Sequence, residues 1–309
     1  MKLLPNHTPE PGLSGSPKGG ADAVLLEYSG CTNAGKARPN NEDALLAGTG
    51  RDERLFVVAD GMGGHDAGEV ASFLAVATLE RLWPDGSLVG AIRRADRTIF
   101  ACLDDGEFAG MGTTLVALRF RENSTHNRDA EYGLEAEVAH VGDSRAYLLR
   151  TGRLRRLTED HSVAAELVRS GAMLSTRVAS RSVLTRSLGT GTASVESTTF
   201  EAWPGDRVLL CSDGLSDAIA EKEIARVLEM FPRDPEKAAH GLVTTALEAG
   251  GPDNVTVVVV DLKDRGVAST PPAGFGRRRG HTQPEDHGKG AVTRKLRRTT
   301  FGLIDTLRR

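Results

Sequence analysis

Cysteine is scarce in this chain of 309 residues, and so are aromatic side chains and long apolar runs. The three cysteines, Cys31, Cys102 and Cys211, stand far apart and form no CxxC pair. An odd, scattered set builds neither a disulfide framework nor a thiolate zinc site, and it agrees with a reducing compartment. No apolar run approaches the ~18 residues that cross a bilayer as a helix. The opening "MKLLPNHTPEPGLSGSPKGG" lacks the apolar stretch of a signal peptide, so residues 1–20 read as a disordered leader. These absences predict a cytoplasmic protein. An excess of one charge is missing too. The 39 basic and 42 acidic residues leave a net charge of −3, without the basic footprint of a nucleic-acid binder. No nucleic-acid partner is expected.

Strand-like and helix-like segments are both present, grouped in blocks. Apolar or alternating runs, among them "AVLLEYSG", "RLFVVAD", "LEAEVAHVG", "RVLLCSDG" and "NVTVVVVDL", predict ten strands. "RAYLLRTGRLRRLT" reads as a hairpin with Thr151-Gly152 at its tip. Helical periodicity falls near residues 67–83, 87–104, 221–230 and 235–249. The polar stretch 122–133 reads as a loop. Many hairpins plus grouped helices imply an α+β layered fold rather than a doubly wound parallel sheet.

Acids recur where an apolar strand meets a glycine-containing turn. Asp60 ends "LFVVAD" and is followed by Gly61, Gly63 and Gly64. Asp213 ends "RVLLCSD" before Gly214, and Asp253 follows a Gly-Gly-Pro turn. Glu42 and Asp43 open a strand, and Asp143 lies between two strands. Taken singly, each is ordinary turn chemistry or a solvated charge. Taken together they would repel, since two charges 4 Å apart in water cost about 1 kcal/mol and several-fold more near a protein surface. Either protons or cations must sit among them. Oxygen ligands without histidine or thiolate select Mg²⁺ or Mn²⁺ over Zn²⁺. Two such ions can share a hydroxide and clamp a displacement at phosphorus. Arg38, five residues before Asp43, has the fork to hold the phosphate.

The ordered segments "TNAGKARPNNEDA", "VVADGMGGHDAGEVAS", "GMGTTLVAL", "AHVGDSRAYLLRTGRLRRLTEDHS", "LTRSLGT", "PGDRVLLCSDGLSD" and "GGPDNVTVVVVD" resemble the metal-dependent protein phosphatases of type 2C, the PPM family, in their bacterial branch. The resemblance covers about residues 22–263. It implies a central sandwich of two antiparallel β-sheets flanked by pairs of α-helices, carried by a catalytic domain over residues 21–264. It implies that Asp60 bridges two Mn²⁺ or Mg²⁺ ions and that Gly61 offers its carbonyl. Asp213 and Asp253 would bind one ion, and Glu42 the other, through water. Asp43 beside it would act from behind or through water, and Thr114 and Asn254 would support the ligands. Asp143 would help hold a third, weaker ion. Arg38 would bind the substrate phosphate, with the flap arginines Arg177 and Arg186 as alternatives. The implied activity is hydrolysis of phosphoserine and phosphothreonine in proteins, opposing a bacterial Ser/Thr kinase. A phosphoprotein-binding pseudophosphatase or an adaptor is the alternative.

Three features depart from the family pattern. Asn33 stands where an Asp is frequent, with a structural effect expected. Met62 follows the Asp-Gly pair where the eukaryotic branch has a histidine acid, and His65 reads as a packing or capping residue. The flap between His161 and Leu184 is short and rich in Ser and Arg. Beyond the domain, residues 265–309 form a basic tail. From Gly266 on it holds ten basic residues against three acidic ones. Val292, Leu296, Thr300, Leu303, Ile304 and Leu307 fall near one helical face, which suits an anionic membrane surface or an acidic partner, while an unstructured tail is the alternative.

Overall fold

The computed structural model describes residues 24–48, 54–63, 67–82, 86–103, 110–122, 134–171 and 183–264. The expected leader, the basic tail, His65, most of the 122–133 loop and the flap centre with Arg177 lie outside the described residues.

Two antiparallel sheets form the body. The first contains β1 (Val24–Asn33), β7 (Arg145–Arg150), β8 (Arg153–Arg156), β10 (Arg207–Cys211) and β11 (Val255–Asp264), in the order β1-β11-β10-β7-β8. The second contains β2 (Asp43–Ala47), β3 (Leu55–Met62), β5 (Leu115–Glu122), β6 (Leu134–Val141) and β9 (Glu196–Ala202), in the order β2-β3-β5-β6-β9. A two-residue strand, β4 (Gly112–Thr113), pairs with the end of β3. Helices α1 (Ala67–Leu82) and α2 (Leu88–Ala101) pack together, with α1 on β2 and β3. Helices α5 (Glu221–Met230) and α6 (Pro235–Glu248) pair beside the other sheet, α6 lying on β1 and β11.

The period of two explains the layers. In β11, Val258, Val260 and Leu262 face the other sheet with Val208 and Leu210, against Phe56, Val58, Val116 and Leu118. The intervening Val255, Val257 and Val259 face the helices with Leu209 and Cys211. A strand buried on both faces has no polar side, which is why "VTVVVV" reads as a continuous apolar run. Phe56 ties the sandwich core, its ring edge-on to Tyr28 at 5.2 Å and to Phe120 at 6.1 Å. The hairpin tip follows from its residues: Thr151 and Gly152 both take positive φ, at 49° and 75°, as a type I′ turn requires.

Two short helices were not visible as periodic patterns. Both α3 (Val163–Arg169), at the start of the flap, and α4 (Asp213–Ser216) are too brief to show a repeat. The run "TTLVALRF" splits at Thr114, whose groups turn to Asp60 rather than to the ladder.

Candidate metal centre

Adjacent strands bring Asp43 and Asp60 face to face, as direct partners in the antiparallel β2–β3 ladder. Asp60 lies inside β3, which continues through Gly61 to Met62 because β4 pairs with it. The Asp60 backbone is held on both sides. Its N–H donates to Thr114 Oγ1 at 3.2 Å, and its carbonyl accepts from Thr114 N–H at 2.9 Å and the Thr113 hydroxyl at 2.8 Å. Thr114 Oγ1 also lies 2.7 Å from Ser144 Oγ, one residue past Asp143. Gly61 has no room for a side chain, since a Cβ there would lie 2.1 Å from the Gly68 carbonyl oxygen and 2.5 Å from that of Glu42. The glycine therefore lets α1, β2 and β3 meet at one corner.

From the other sheet come Asp213 and Asp253. Asp213 opens α4, with Ser212 at the cap position, rather than ending β10. The Ser212 hydroxyl donates to Asp43 Oδ2 at 2.9 Å and accepts from Thr256 N–H at 3.0 Å, pinning the two sheets together. Asn254 is fully used. Its Oδ1 accepts from Glu42 N–H at 2.8 Å, and its Nδ2 donates to the carbonyls of Ala34 and Asn40 at 2.9 and 2.8 Å. It thus fastens the loop that carries Arg38 and Glu42 to the root of β11. Asn33, the departure noted above, accepts from Gly35 N–H at 2.9 Å and shapes the same loop.

The acids at this corner are held against one another. Burial pushes Asp43 up to about 7, against hydrogen bonds from Thr256 and Ser212, with Asp213 and Asp253 adding. Burial and the charges of Asp43 and Asp213 hold Asp60 well above the usual carboxylate range. Burial raises Asp143 to about 7, with Asp213 and Asp160 adding. Burial raises Asp213 to about 6; a hydrogen bond with Asp60 opposes that rise, and the charges of Asp253 and Asp217 add to it. Asp60 and Asp213 are close enough to share a proton. Among the described residues, Asp43 Oδ1 and Asp213 Oδ1 are buried without a hydrogen-bond partner. Buried carboxylate oxygens of this kind need a cation or a proton. The donor set is all oxygen, so the residues fit hard divalent ions.

Arg38 forms an ion pair with one acid of this group. Its Nη2 donates to Asp253 Oδ2 at 2.8 Å, and the side chain is 51% exposed. Asp253 raises its affinity for its proton, with Glu42 and Asp60 contributing at longer range. Sequence reasoning had not singled out Ser212, Ser144 or Asp217. Ser212 and Asp217 stand within the motifs that supplied Asp213, and Ser144 follows Asp143. Such small polar neighbours of a motif acid are the signal that was available.

A second group of ligand-type residues, His140, His161 and Glu196, does not suit a metal. The two rings stack 4.6 Å apart at 17°, so their in-plane lone pairs run side by side instead of converging. Arg186 Nη1 lies 2.6 Å from Glu196 Oε1 and 3.2 Å from His161 Nε2, so a guanidinium already fills the space. Burial, with His140 and Arg186 adding, lowers His161 to about 4. The neutral ring takes Gly142 N–H on Nδ1 at 3.1 Å and steadies the turn before Asp143. Arg186 is thereby committed to Glu196, which removes the reason to cast it as a phosphate holder.

Known proteins with this arrangement are numerous. A family model described as protein phosphatase 2C matches residues 30–255. The serine/threonine protein phosphatase PstP of Mycobacterium tuberculosis is 41% identical over 262 residues, covering 81% of this chain and 47% of that protein. This chain thus spans about half the length of that relative. The serine/threonine phosphatase stp of Listeria monocytogenes is 35% identical over 254 residues, covering 76% of this chain and 96% of that one. Among solved structures, the PstP catalytic domain in complex with two manganese ions is 39% identical. That match covers 78% of this chain and 100% of that one, with a TM-score of 0.67. With its two-sheet sandwich and its corner of crowded acids, this chain belongs to the protein phosphatase 2C family.

Proposed function

We propose that this chain is a Mn²⁺- or Mg²⁺-dependent phosphatase that removes phosphate from serine and threonine side chains of proteins. The observation that carries this reading is the corner of buried carboxylates without cations of their own, set beside an exposed arginine. Asp60, the Gly61 carbonyl, Asp213, Asp253 and Glu42 hold two ions, and Asp143 a third, weaker one. When bound, such ions supply a nucleophile at neutral pH and a positive clamp on the phosphate oxygens. Arg38 does the remaining binding. One of its nitrogens is kept by Asp253, and the rest of the fork is free for phosphate oxygens. Ser212, Thr114 and Asn254 keep the acids from turning away.

The substrates are phosphoproteins, made by a Ser/Thr kinase of the same cell. The catalytic domain spans residues 21–264 and works in the cytoplasm. The tail over 265–309 binds an anionic surface or an acidic partner. The direct experiment is hydrolysis of an aryl phosphate and of a phosphothreonine protein before and after chelation. Activity should vanish with chelator and return with Mn²⁺, while Zn²⁺ should substitute poorly. Full activity after exhaustive chelation refutes the metal mechanism. Tight phosphoprotein binding without turnover would point to the pseudophosphatase instead.

A further inference from the structure

Asp96 belongs to no motif named so far. It lies on the inner face of α2 with Ala95 and Ile99, and it is 1% exposed. A buried carboxylate is costly unless donors replace its water. Four backbone N–H groups do so here, all from one loop. Gly189, Thr190 and Gly191 donate to Oδ1 at 2.8, 3.0 and 3.1 Å, and Ala193 donates to Oδ2 at 2.9 Å. Gly189 and Gly191 take positive φ, at 103° and 76°, which curls the chain so that successive N–H groups point inward. A Cβ at Gly189 would lie 2.8 Å from the Met111 carbonyl oxygen, so the loop lies tight on the segment entering β4.

This loop is joined to the metal centre through one residue on each side. Leu188, fully buried, donates to the Thr113 carbonyl at 2.8 Å, and Thr113 N–H donates back at 3.2 Å. Thr113 is the residue whose hydroxyl holds the Asp60 carbonyl and whose backbone pairs with Gly61. A continuous set of hydrogen bonds therefore runs from Asp96 through residues 189–193, Leu188 and Thr113 to the Asp60–Gly61 corner. In the other direction the same segment reaches the flap stem, where Thr185 N–H donates to the His161 carbonyl at 2.9 Å.

We propose that Asp96 is a positioning residue for the metal centre: by gathering the 189–193 loop it fixes Thr113 and, through it, the Asp60–Gly61 corner that holds the ions. A carboxylate is needed because all four neighbours donate, and an amide would set its own N–H₂ against one of them. The rate arm of the test rests on the phosphatase reading, whereas the metal arm does not.

The test uses the full chain, treated with chelator, as wild type, Asp96→Ala and Asp96→Asn. Mn²⁺ affinity is measured by calorimetry, and kcat and KM with an aryl phosphate. Asp206→Asn is the control for stability alone. Asp206 is as deeply buried, but it holds Arg150 and the Trp203 N–H at the far end of β10. Asp96→Ala should weaken Mn²⁺ binding and lower kcat by about tenfold each, the low end for groups standing behind ligands. KM should stay within about twofold, since Arg38 is untouched. Asp96→Asn should fall between, and Asp206→Asn should lose melting temperature but neither Mn²⁺ affinity nor kcat. A folded Asp96→Ala protein with unchanged Mn²⁺ affinity and kcat overturns the proposal. If that variant does not fold, unchanged values in Asp96→Asn do so. If wild type binds Mn²⁺ yet hydrolyses nothing, the phosphatase reading fails, and the calorimetry still decides the role of Asp96.

Discussion

The two ends of the β10–β11 pair treat buried charge in opposite ways. At one end Arg207 and Asp261 sit opposite each other in the ladder, both nearly buried. Arg207 grips Asp261 with two nitrogens, the Nη2 to Oδ2 bond being 2.7 Å, and gives its third to the Leu228 carbonyl at 2.6 Å. Arg150 holds Asp206 beside them in the same forked way. At the other end Asp213 and Asp253 flank the same strands, joined by Asp43, Asp60 and Asp143; Arg145, opposite Cys211 in the ladder, is spent on Asp160, and the exposed Arg38 pairs with Asp253 alone. A fold that gives arginines to the acids at one end, and at the other leaves Asp43, Asp60, Asp143 and Asp213 without an ion pair among the described residues, is built to take cations from solution there.

The largest effect should come from breaking the open end. On the proposed ligand set, Asp60→Asn or Asp213→Asn should remove a ligand that the protein cannot replace. Losing an ion's contribution of several kcal/mol lowers kcat on the order of a thousandfold. Circular dichroism should stay near wild type, because the amide can keep the hydrogen bond between positions 60 and 213. Near-normal turnover in either variant, with Mn²⁺ at saturation, would show that the acid is not a ligand. Asp143→Asn should cost much less and leave two ions per chain by elemental analysis.

The closed end should give the reverse pattern. Asp261→Asn leaves the Arg207 guanidinium buried without its carboxylate, at a cost of about 3–5 kcal/mol in stability. Rate per folded molecule should be unchanged, as should Mn²⁺ affinity. A denaturant melt and an active-site titration measure the two quantities separately. A loss of rate in step with stability would mean that the two ends are coupled, and the contrast between them would dissolve.

How much of this was readable beforehand follows from the same contrast. The β11 run, the Thr151-Gly152 tip and the four long helices were legible because burial on two faces, positive φ and helical period each leave a local signature. The acids were legible one by one, as charges at the ends of apolar runs. Their company was expected from the recurrence and the resemblance, but not the contacts that make it, because Asp43 and Asp60 meet across a ladder and Asp213 arrives from the other sheet. Position within an element was also hidden. Asp213 heads a one-turn helix, and Asp60 lies within a strand extended by β4, which is only two residues long. Asp96 left no trace in the sequence, since its partners are backbone groups about a hundred residues away.

Arg38 stands between the two regimes, an arginine at the open end that pairs with only one oxygen. Arg38→Ala should raise KM and lower kcat together if, as proposed, the fork grips phosphate in the ground state and as charge shifts at phosphorus. Mn²⁺ affinity should remain near wild type. Lysine should rescue only in part, as a point charge cannot reproduce the fork. Product phosphate should inhibit the alanine variant less than wild type. Equal inhibition constants would assign the phosphate contact to another residue, with Arg177 the first to examine.

The smallest effect is a tilt of stability with pH, and it sharpens the contrast without any substrate. In the metal-free protein Asp43 and Asp143 titrate near 7 and Asp213 near 6, against 3.8 when unfolded. A carboxyl whose folded pKa is raised binds its proton more tightly in the folded state. Its contribution is therefore fully present below about pH 4 and is lost as pH rises through 6 to 7. The chelated protein should lose melting temperature between pH 5 and pH 8, and saturating Mn²⁺ should abolish that loss by replacing the protons. Asp213→Asn, which removes one of the repelling groups, should melt above metal-free wild type at pH 8, with the gap closing at pH 5. A metal-free wild type whose melting temperature rises from pH 5 to pH 8 would mean that the acids are not forced together, and that the open end needs no cation.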